Sequence, residues 1–369
     1  MNNSTYTVKV PGKLLIAGEY AVLESRQKAV VASVNRYVTA YIEPSAQNEL
    51  SLPQLGLEDI RWNVNDGRIE FSEWDSRLSF IQNSISTVSQ FLNEKSVEAL
   101  PFRLQVESEL DDSISGKKYG LGSSAAITTA VVSAILSLHN SLLSTTTNDD
   151  IFKLSAIAHV KTQGNGSGAD IAAAVYGGWL EYSAFSAKWL LSQLKHKVRI
   201  TDMIEKPWPN LFIRHLIPPS SLYLLVGWTK ESAATSTMIK MVENFRDSNF
   251  ELYSRFLKES SIATLKLIDS FKANDTTGAI NALMKNRKAL KNLSENAHVN
   301  IETEKLKSLC DIAEAFGSGK SSGAGGGDCG IAFLEDDSQK YRLYEAWKSA
   351  DIDPLDLSIS ETGVLIQQK

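Results

Sequence analysis

Between Gly120 and His139 the chain runs without a break from a Gly-Leu-Gly-Ser-Ser loop into about fifteen mostly apolar residues that hold no turn breaker. This is the longest apolar helical stretch in the sequence, yet Thr128, Thr129, Ser133 and Ser137 interrupt it. It is shorter than the ~20 residues that span a bilayer, so a soluble chain with no membrane partner is expected. Backbone N–H groups freed at the start of such a helix, with the positive end of its dipole, make a ready anion site. The same Gly-Ser-Ser run is also a common helix cap, with Ser123 and Ser124 as capping hydroxyls.

Composition narrows the class of ligand. The 369 residues, 43% hydrophobic and 22% charged, are those of an ordinary folded protein with room for two compact units or three. Lys plus Arg is 38 against 43 Asp plus Glu, a net charge of −5. Without a basic field, nucleic-acid binding lacks its main driving force, and an anionic ligand has to be held by a local cluster. Cys310 and Cys329 are too few for a disulfide framework and have no zinc spacing, which fits a reducing compartment. The first twenty residues lack the pattern of a secretory signal, so a cytoplasmic protein is expected.

Short alternating or β-branched runs predict strands at Tyr6 to Val10, Leu14 to Ala17, Tyr37 to Ile42, Phe102 to Val106, Trp179 to Tyr182, Leu222 to Trp228, Ile331 to Leu334 and Gly363 to Gln367. Helical patterns fall between them, the clearest at Leu78 to Asn93, Ser124 to His139, Ile151 to Lys161, Phe250 to Ala273, Thr277 to Leu293, Glu302 to Phe316 and Gln339 to Ser349. Asp149, Asp150 and Thr276 are the expected caps. Strands crowd the first half and three long helices run together after Phe250, so an α+β protein of two lobes is expected rather than a doubly wound sheet. A proline-containing segment from Lys206 to Ser220 separates the expected units, residues 1–215 and 216–369. The polar segment Glu43 to Glu73 reads either as a flap over a ligand or as a surface excursion.

Glycine lets a backbone pack against a phosphate and adopt positive φ, so glycine clusters beside small hydroxyl residues are candidate phosphate sites. Besides Lys117 to Ala126, such clusters are Pro11 to Tyr20 and Lys320 to Asp328. Gly120-x-Gly122-x-x-Ala125 matches a dinucleotide pattern, but a poor strand precedes it and no acid follows at the distance a ribose needs. Gly319-Lys320-Ser321 matches the end of a Walker A loop, but the first glycine position is Glu314, on an amphipathic helix. The run Gly323 to Gly327 would lose much backbone entropy on ordering, which points to close approach to a ligand, with a flexible linker as the alternative. In Gly164-Asn-Gly-Ser167-Gly-Ala-Asp170 a lone acid ends a glycine-shaped loop, as a helix cap or as a base or positioning carboxylate.

Together the motifs P-G-K-x-x-x-x-G-E, G-L-G-S-S-A-A, G-N-x-S-G-x-D and S-G-A-G-G-G-D, in that order from Pro11 to Phe333, resemble the GHMP small-molecule kinases. That superfamily includes galactokinase, homoserine kinase, mevalonate kinase and phosphomevalonate kinase. The stretches KYGLGSSAA, VGWTK at Val226 to Lys230 and KSSGAGGGDCGIA at Lys320 to Ala332 are most similar to the bacterial phosphomevalonate kinases. The resemblance implies an N-terminal lobe like ribosomal protein S5 domain 2, a ferredoxin-like C-terminal lobe, and ATP and substrate in the cleft between. It implies magnesium and ATP-dependent phosphorylation of phosphomevalonate, on the route to isoprenoid precursors. Mevalonate phosphorylation and a catalytically silent ligand-binding relative are the alternatives, and monomer and homodimer both remain open.

Carried onto this sequence, Lys13 and Asp170 fall on the reactive lysine and aspartate of the family. Lys118, Tyr119, Gly120, Leu121, Gly122, Ser123, Ser124 and Ala125 fall on its ATP-phosphate loop. Lys13, Tyr20, Lys117, Lys118, Ser167, Gly323, Ala324 and Gly325 are the implied substrate contacts, and Glu19 is read as fixing the first loop. One departure stands out: the magnesium-binding glutamate of mevalonate kinases is replaced by His159, and no carboxylate lies from Leu154 to Ala169. Magnesium is then expected on nucleotide phosphates, water and a serine hydroxyl, taken as Ser124. His159 itself reads as a packed or surface residue rather than a ligand.

The pair Lys117-Lys118 stands where mevalonate kinases resemble Pro-x-Gly-x. A phosphomonoester brings about −1.5 to −2 charge, and Lys13, Lys117 and Lys118 are the cations to hold it. With a second pKa of about 6 it is largely dianionic at pH 7, so its oxygen attacks without a base. Positioning and electrostatics are expected to dominate, with Asp170 orienting Lys13 and the acceptor.

Overall fold

The computed structural model describes residues 4–65, 68–73, 75–143 and 146–369. The first part of the chain forms β1 (Tyr6–Ala17), β2 (Ala29–Pro44), β3 (Glu49–Leu52), β4 (Leu57–Asn65), β5 (Arg68–Phe71), α1 (Ser79–Glu94), β6 (Phe102–Ser108), α2 (Ser123–Leu138), α3 (Asn148–Gln163), α4 (Ala169–Tyr176), β7 (Trp179–Ser183), α5 (Ala187–Lys195), α6 (Ile200–Glu205) and β8 (Phe212–Leu216). The rest forms β9 (Tyr223–Trp228), α7 (Thr235–Ser248), α8 (Phe250–Lys272), α9 (Thr276–Ala297), α10 (Glu304–Glu314), β10 (Ser318–Ser321), β11 (Cys329–Leu334), α11 (Lys340–Ser349), β12 (Asp353–Leu355) and β13 (Leu365–Gln368).

The first sheet has the order β13-β1-β2-β6-β3-β4-β5, with β7 on β2 and β8 on β7. On the edge away from β1, the long strand β2 serves two neighbours: Val38–Pro44 pairs with β6 and Ala29–Ala32 with β7. The two strands expected at Tyr6 to Val10 and Leu14 to Ala17 are one. Pro11-Gly12, which reads as a break, is a register shift in the β1–β2 ladder and bends the strand without ending it. The segment Glu43 to Glu73 extends this sheet as β3, β4 and β5; residues 66 and 67 within it lie outside the described residues.

Helix α2 packs on β1 and β2 with one side and on α1 and α3 with the other, so almost every residue from Ala125 to Leu138 is buried. That is the physical reason it is apolar on most faces. Two expected caps move. Thr147 caps α3 in a reciprocal box with Asp150, while Asp149 pairs with Lys153 one turn on. Asp275, not Thr276, caps α9, accepting from the Gly278 N–H at 2.8 Å.

The second sheet is antiparallel with the order β10-β11-β9-β12. Helices separate β9 from β10 and β11 from β12, which with this order makes the β-α-β-β-α-β pattern of a ferredoxin-like lobe. After β12 the chain returns to the first lobe: Ser360 bonds Ser33 and Gly178, and β13 pairs with β1. No helix of the described residues is long and apolar enough to cross a membrane.

Candidate active site

Strand β1 is docked on the loop that opens α2. The Lys13 N–H donates to the Leu121 carbonyl at 2.8 Å, and its ammonium donates to the Gly120 carbonyl at 3.1 Å. A Cβ on Gly12 would stand 2.8 Å from a Leu110 methyl and 3.0 Å from the Leu121 oxygen, so glycine there lets the strand lie against the loop.

Gly120 and Gly122 have φ of +82° and +80°, a region that L side chains rarely adopt. A Cβ on Gly122 would sit 3.0 Å from Lys13 Cγ and 3.6 Å from Asp170 Cβ; one on Gly120 would sit 2.6 Å from Asp328 Oδ2. One lysine and two acids thus pack on a single turn of bare backbone. The first intrahelical bond of α2 runs from Ala126 N to Gly122 O at 3.1 Å, so the N–H groups of Ser123, Ser124 and Ala125 precede it.

Asp170 lies in the first turn of α4, where Gly168 rather than Asp170 occupies the cap position. Its Oδ1 accepts from the Ile171 N–H at 3.0 Å. The loop before it is held by the Tyr182 hydroxyl, which donates to the Ser167 carbonyl. Among the described residues Lys13 and Asp170 form no ion pair; the Lys13 ammonium has the Gly120 carbonyl as its protein partner.

Gly323 to Gly327 turns between β10 and β11, and a Cβ on Gly323 would lie 4.0 Å from the Lys13 ammonium. This turn is fastened to the first motif. The Ser322 hydroxyl accepts from Leu15 N and donates to Leu15 O, each at 3.1 Å, and the Tyr20 hydroxyl donates to Ala324 O at 2.6 Å. Burial, and then the charge of Glu19, push the Tyr20 hydroxyl well above its ordinary pKa, which keeps it a donor. Glu19 pairs with Lys320.

These segments enclose a cavity of about 360 Å³. Of the residues singled out from sequence, its wall takes in Lys13, Tyr20, Lys118, Gly120, Gly122, Ser123, Ser124, Ser167, Asp170, Gly323 and Ala324. Lys117, Tyr119, Leu121, Ala125 and Gly325 lie outside it. Lys117 donates to the Lys230 carbonyl at the surface, at 3.0 Å. Tyr119 is buried edge-on to Trp228 with the Arg36 guanidinium over its ring, Leu121 and Ala125 belong to the core, and Gly325 packs on Ile301.

Sequence reasoning left Asp328 off the site. It ends the run Gly323 to Gly327 as Asp170 ends the glycine loop that begins at Gly164, and that parallel is the signal the sequence offers. Its Oδ1 accepts from Ala233 N at 3.4 Å, and its carbonyl accepts from Thr229 N and Oγ1 at 3.0 and 2.9 Å. Burial drives its carboxyl above the ordinary aspartate value, against the pull of Lys13 and Lys118. His159 is buried at the cavity wall, with its Nε2 3.4 Å from Ser124 Oγ and its ring 5.1 Å from that of Phe80.

No group of three or more His, Cys, Asp or Glu side chains converges on one point among the described residues. The cavity wall carries several hydroxyls, those of Ser123, Ser124, Ser167 and Thr235 among them, but among the described residues its carboxylates outside an ion pair are Asp170 and Asp328, Glu19 being paired with Lys320. A wall with two such carboxylates fits magnesium held chiefly by nucleotide phosphates and water.

Comparison with known proteins agrees with this geometry. Residues 83–178 match the GHMP kinases N terminal domain, and residues 267–353 match the GHMP kinases C terminal domain. A phosphomevalonate kinase of Streptomyces sp. (strain CL190) is 32% identical over 368 residues, covering 96% of this chain and 97% of that protein. The crystal structure of the Lin0012 protein from Listeria innocua is similar at a TM-score of 0.91 and 36% identity, over 99% of both chains. Streptococcus pneumoniae phosphomevalonate kinase in complex with phosphomevalonate and AMPPNP is similar at a TM-score of 0.83 and 28% identity, over 96% of this chain and 99% of that one. Near-complete coverage by such a relative, with both domains matched in order, means that the chain belongs to the GHMP kinases and, among them, to the phosphomevalonate kinase family.

Proposed function

We propose that the cleft transfers the terminal phosphate of ATP to the phosphate of phosphomevalonate, giving diphosphomevalonate and ADP. The observation that carries this reading is that Lys13 and Lys118, neither of them in an ion pair among the described residues, line the same cavity as the start of α2. A mevalonate hydroxyl needs no such second cation; a phosphate acceptor does.

The N–H groups of Ser123, Ser124 and Ala125 hold the nucleotide phosphates at the positive end of the helix dipole. Magnesium, when bound with the nucleotide, neutralises charge on the β- and γ-phosphates, and Ser124 with Asp170 or Asp328 would hold it. An acceptor oxygen then bonds to the γ-phosphorus while the bond to the ADP oxygen breaks, and the electron pair leaves with ADP. Lys13 and Lys118 offset the charge that the two phosphates bring together. Because the acceptor is largely dianionic at pH 7, Asp170 orients it rather than taking a proton. The Gly120 carbonyl, not Asp170, aims the Lys13 ammonium. The two free, buried cysteines suit a cytoplasmic setting.

The test is ADP release measured side by side with phosphomevalonate and mevalonate. Turnover with phosphomevalonate alone is expected. Turnover with mevalonate alone would make the chain a mevalonate kinase, and ATP binding without turnover on either acceptor would make it a silent relative.

A further inference from the structure

The lysine of the Walker-like Gly319-Lys320-Ser321 is not at a phosphate loop. Lys320 lies in β10 with 0% of its side chain exposed, and its ammonium pairs with Glu19, 1% exposed, on the segment that follows β1 in the other lobe. The ammonium also donates to the Ser321 carbonyl at 2.6 Å, while Glu19 Oε2 is buried without a hydrogen-bond partner.

Such a pair is a poor way to stabilise a fold. Replacing two buried charges together by apolar groups is often neutral or stabilising, whereas removing one leaves a costly orphan. Geometry gives it a better reason. The pair is the deepest of three links between residues 15–20 and 320–324, the others being Ser322 with Leu15 and Tyr20 with Ala324. The turn they anchor carries Gly323, Gly325, Gly326 and Gly327 at positive φ, so it has little stiffness of its own. Its height over Lys13 has to come from its anchors, these three on the side of Lys13 and, on the far side, the Gly326 and Asp328 N–H groups, which donate to the Ile301 and Glu231 carbonyls at 2.8 Å.

We infer that Glu19 and Lys320 are positioning residues for phosphoryl transfer, whose pair fixes the Gly323–Ala324 turn relative to the Lys13 ammonium. The inference rests on reading the cleft as a phosphotransferase site. A shift of about 1 Å at such a site can cost roughly 100-fold in rate.

The test compares Glu19→Met, Lys320→Met and the double variant with the wild type, by steady-state kinetics, thermal unfolding and amide hydrogen exchange. Each single variant is expected to unfold at lower temperature, and the double variant to regain the loss. The double variant is expected to keep its KM for ATP while kcat stays roughly 10- to 100-fold below wild type. Its amides from residue 323 to 327 should exchange faster while those of β11 do not. Recovery of kcat together with stability in the double variant would show a merely structural pair and overturn the inference. So would wild-type exchange rates in the turn. Should the single variants fail to fold, the double variant decides alone. A wild type that turns over no acceptor would defeat the functional reading instead, and the exchange rates would still judge the clamp.

Discussion

The Lys13 ammonium lies 3.1 Å from the Gly120 carbonyl oxygen, which makes the cation of β1 and the loop before α2 a single unit. Lys13→Met keeps the alkyl stem that packs on Gly122 and removes the charge together with the one hydrogen bond to Gly120. It is expected to lower kcat by about 10²- to 10³-fold, in line with the loss of one electrostatic stabiliser, with an unchanged unfolding temperature. Stopped-flow kinetics and calorimetry on the same preparation check both halves.

Gly122→Ala asks an L residue to hold φ near +80° and puts a methyl 3.0 Å from Lys13 Cγ. The backbone term alone is about 1–2 kcal/mol. Nucleotide affinity is expected to fall about tenfold, as read by titration calorimetry with a non-hydrolysable ATP analogue. An unchanged affinity would mean that the loop does not bind the phosphates.

Asp170→Asn is expected to retain acceptor binding and to lose roughly 10- to 100-fold in turnover, the scale of lost positioning. In both proteins kcat/KM should fall below about pH 6, where the acceptor phosphate takes up its second proton. Near-complete loss in the variant, with the acid limb gone as well, would make Asp170 a base.

Glu181, 1% exposed on β7, accepts from Lys28 and from Arg214, whose Nε stands 3.1 Å away. Burial alone would raise its carboxyl, but the hydrogen bonds from Lys28 and Arg214 outweigh it and hold the value below the ordinary 4.5. A folded value below the unfolded one gives stability that is complete above about pH 4.5 and is lost as pH falls through the folded value. Glu181→Gln is therefore expected to cost about 2 kcal/mol at pH 7, discounted because both cations are a third to a half exposed. The gap should close between about pH 5 and pH 3, as followed by urea unfolding at each pH.

What the sequence disclosed and what it hid differ in a physical way. Gly120 and Gly122 are legible because positive φ next to a helix start leaves glycine as the residue of choice, and α2 is legible because a helix buried on most faces is apolar on most faces. Lys117 and Lys118 look alike in one dimension. Which of them faces the cavity depends on an antiparallel backbone bridge between Lys118 and Asp111 that no local pattern encodes. The Glu19–Lys320 pair spans some three hundred residues, and a buried lysine leaves the same letter as an exposed one. Pro11-Gly12 punctuates the sequence like a turn, yet the ladder to β2 carries β1 through it.

The pairing of β13 with β1 sets an order of assembly. The ribosome delivers residues 365–368 only after the whole second lobe has been made, so the flank of β1 that they cover stays raw throughout translation. A bare strand flank recruits other strands, and pairing that must wait for distant segments is slow. Nascent chains stalled short of that last strand are the ones that a chaperone would have to shield.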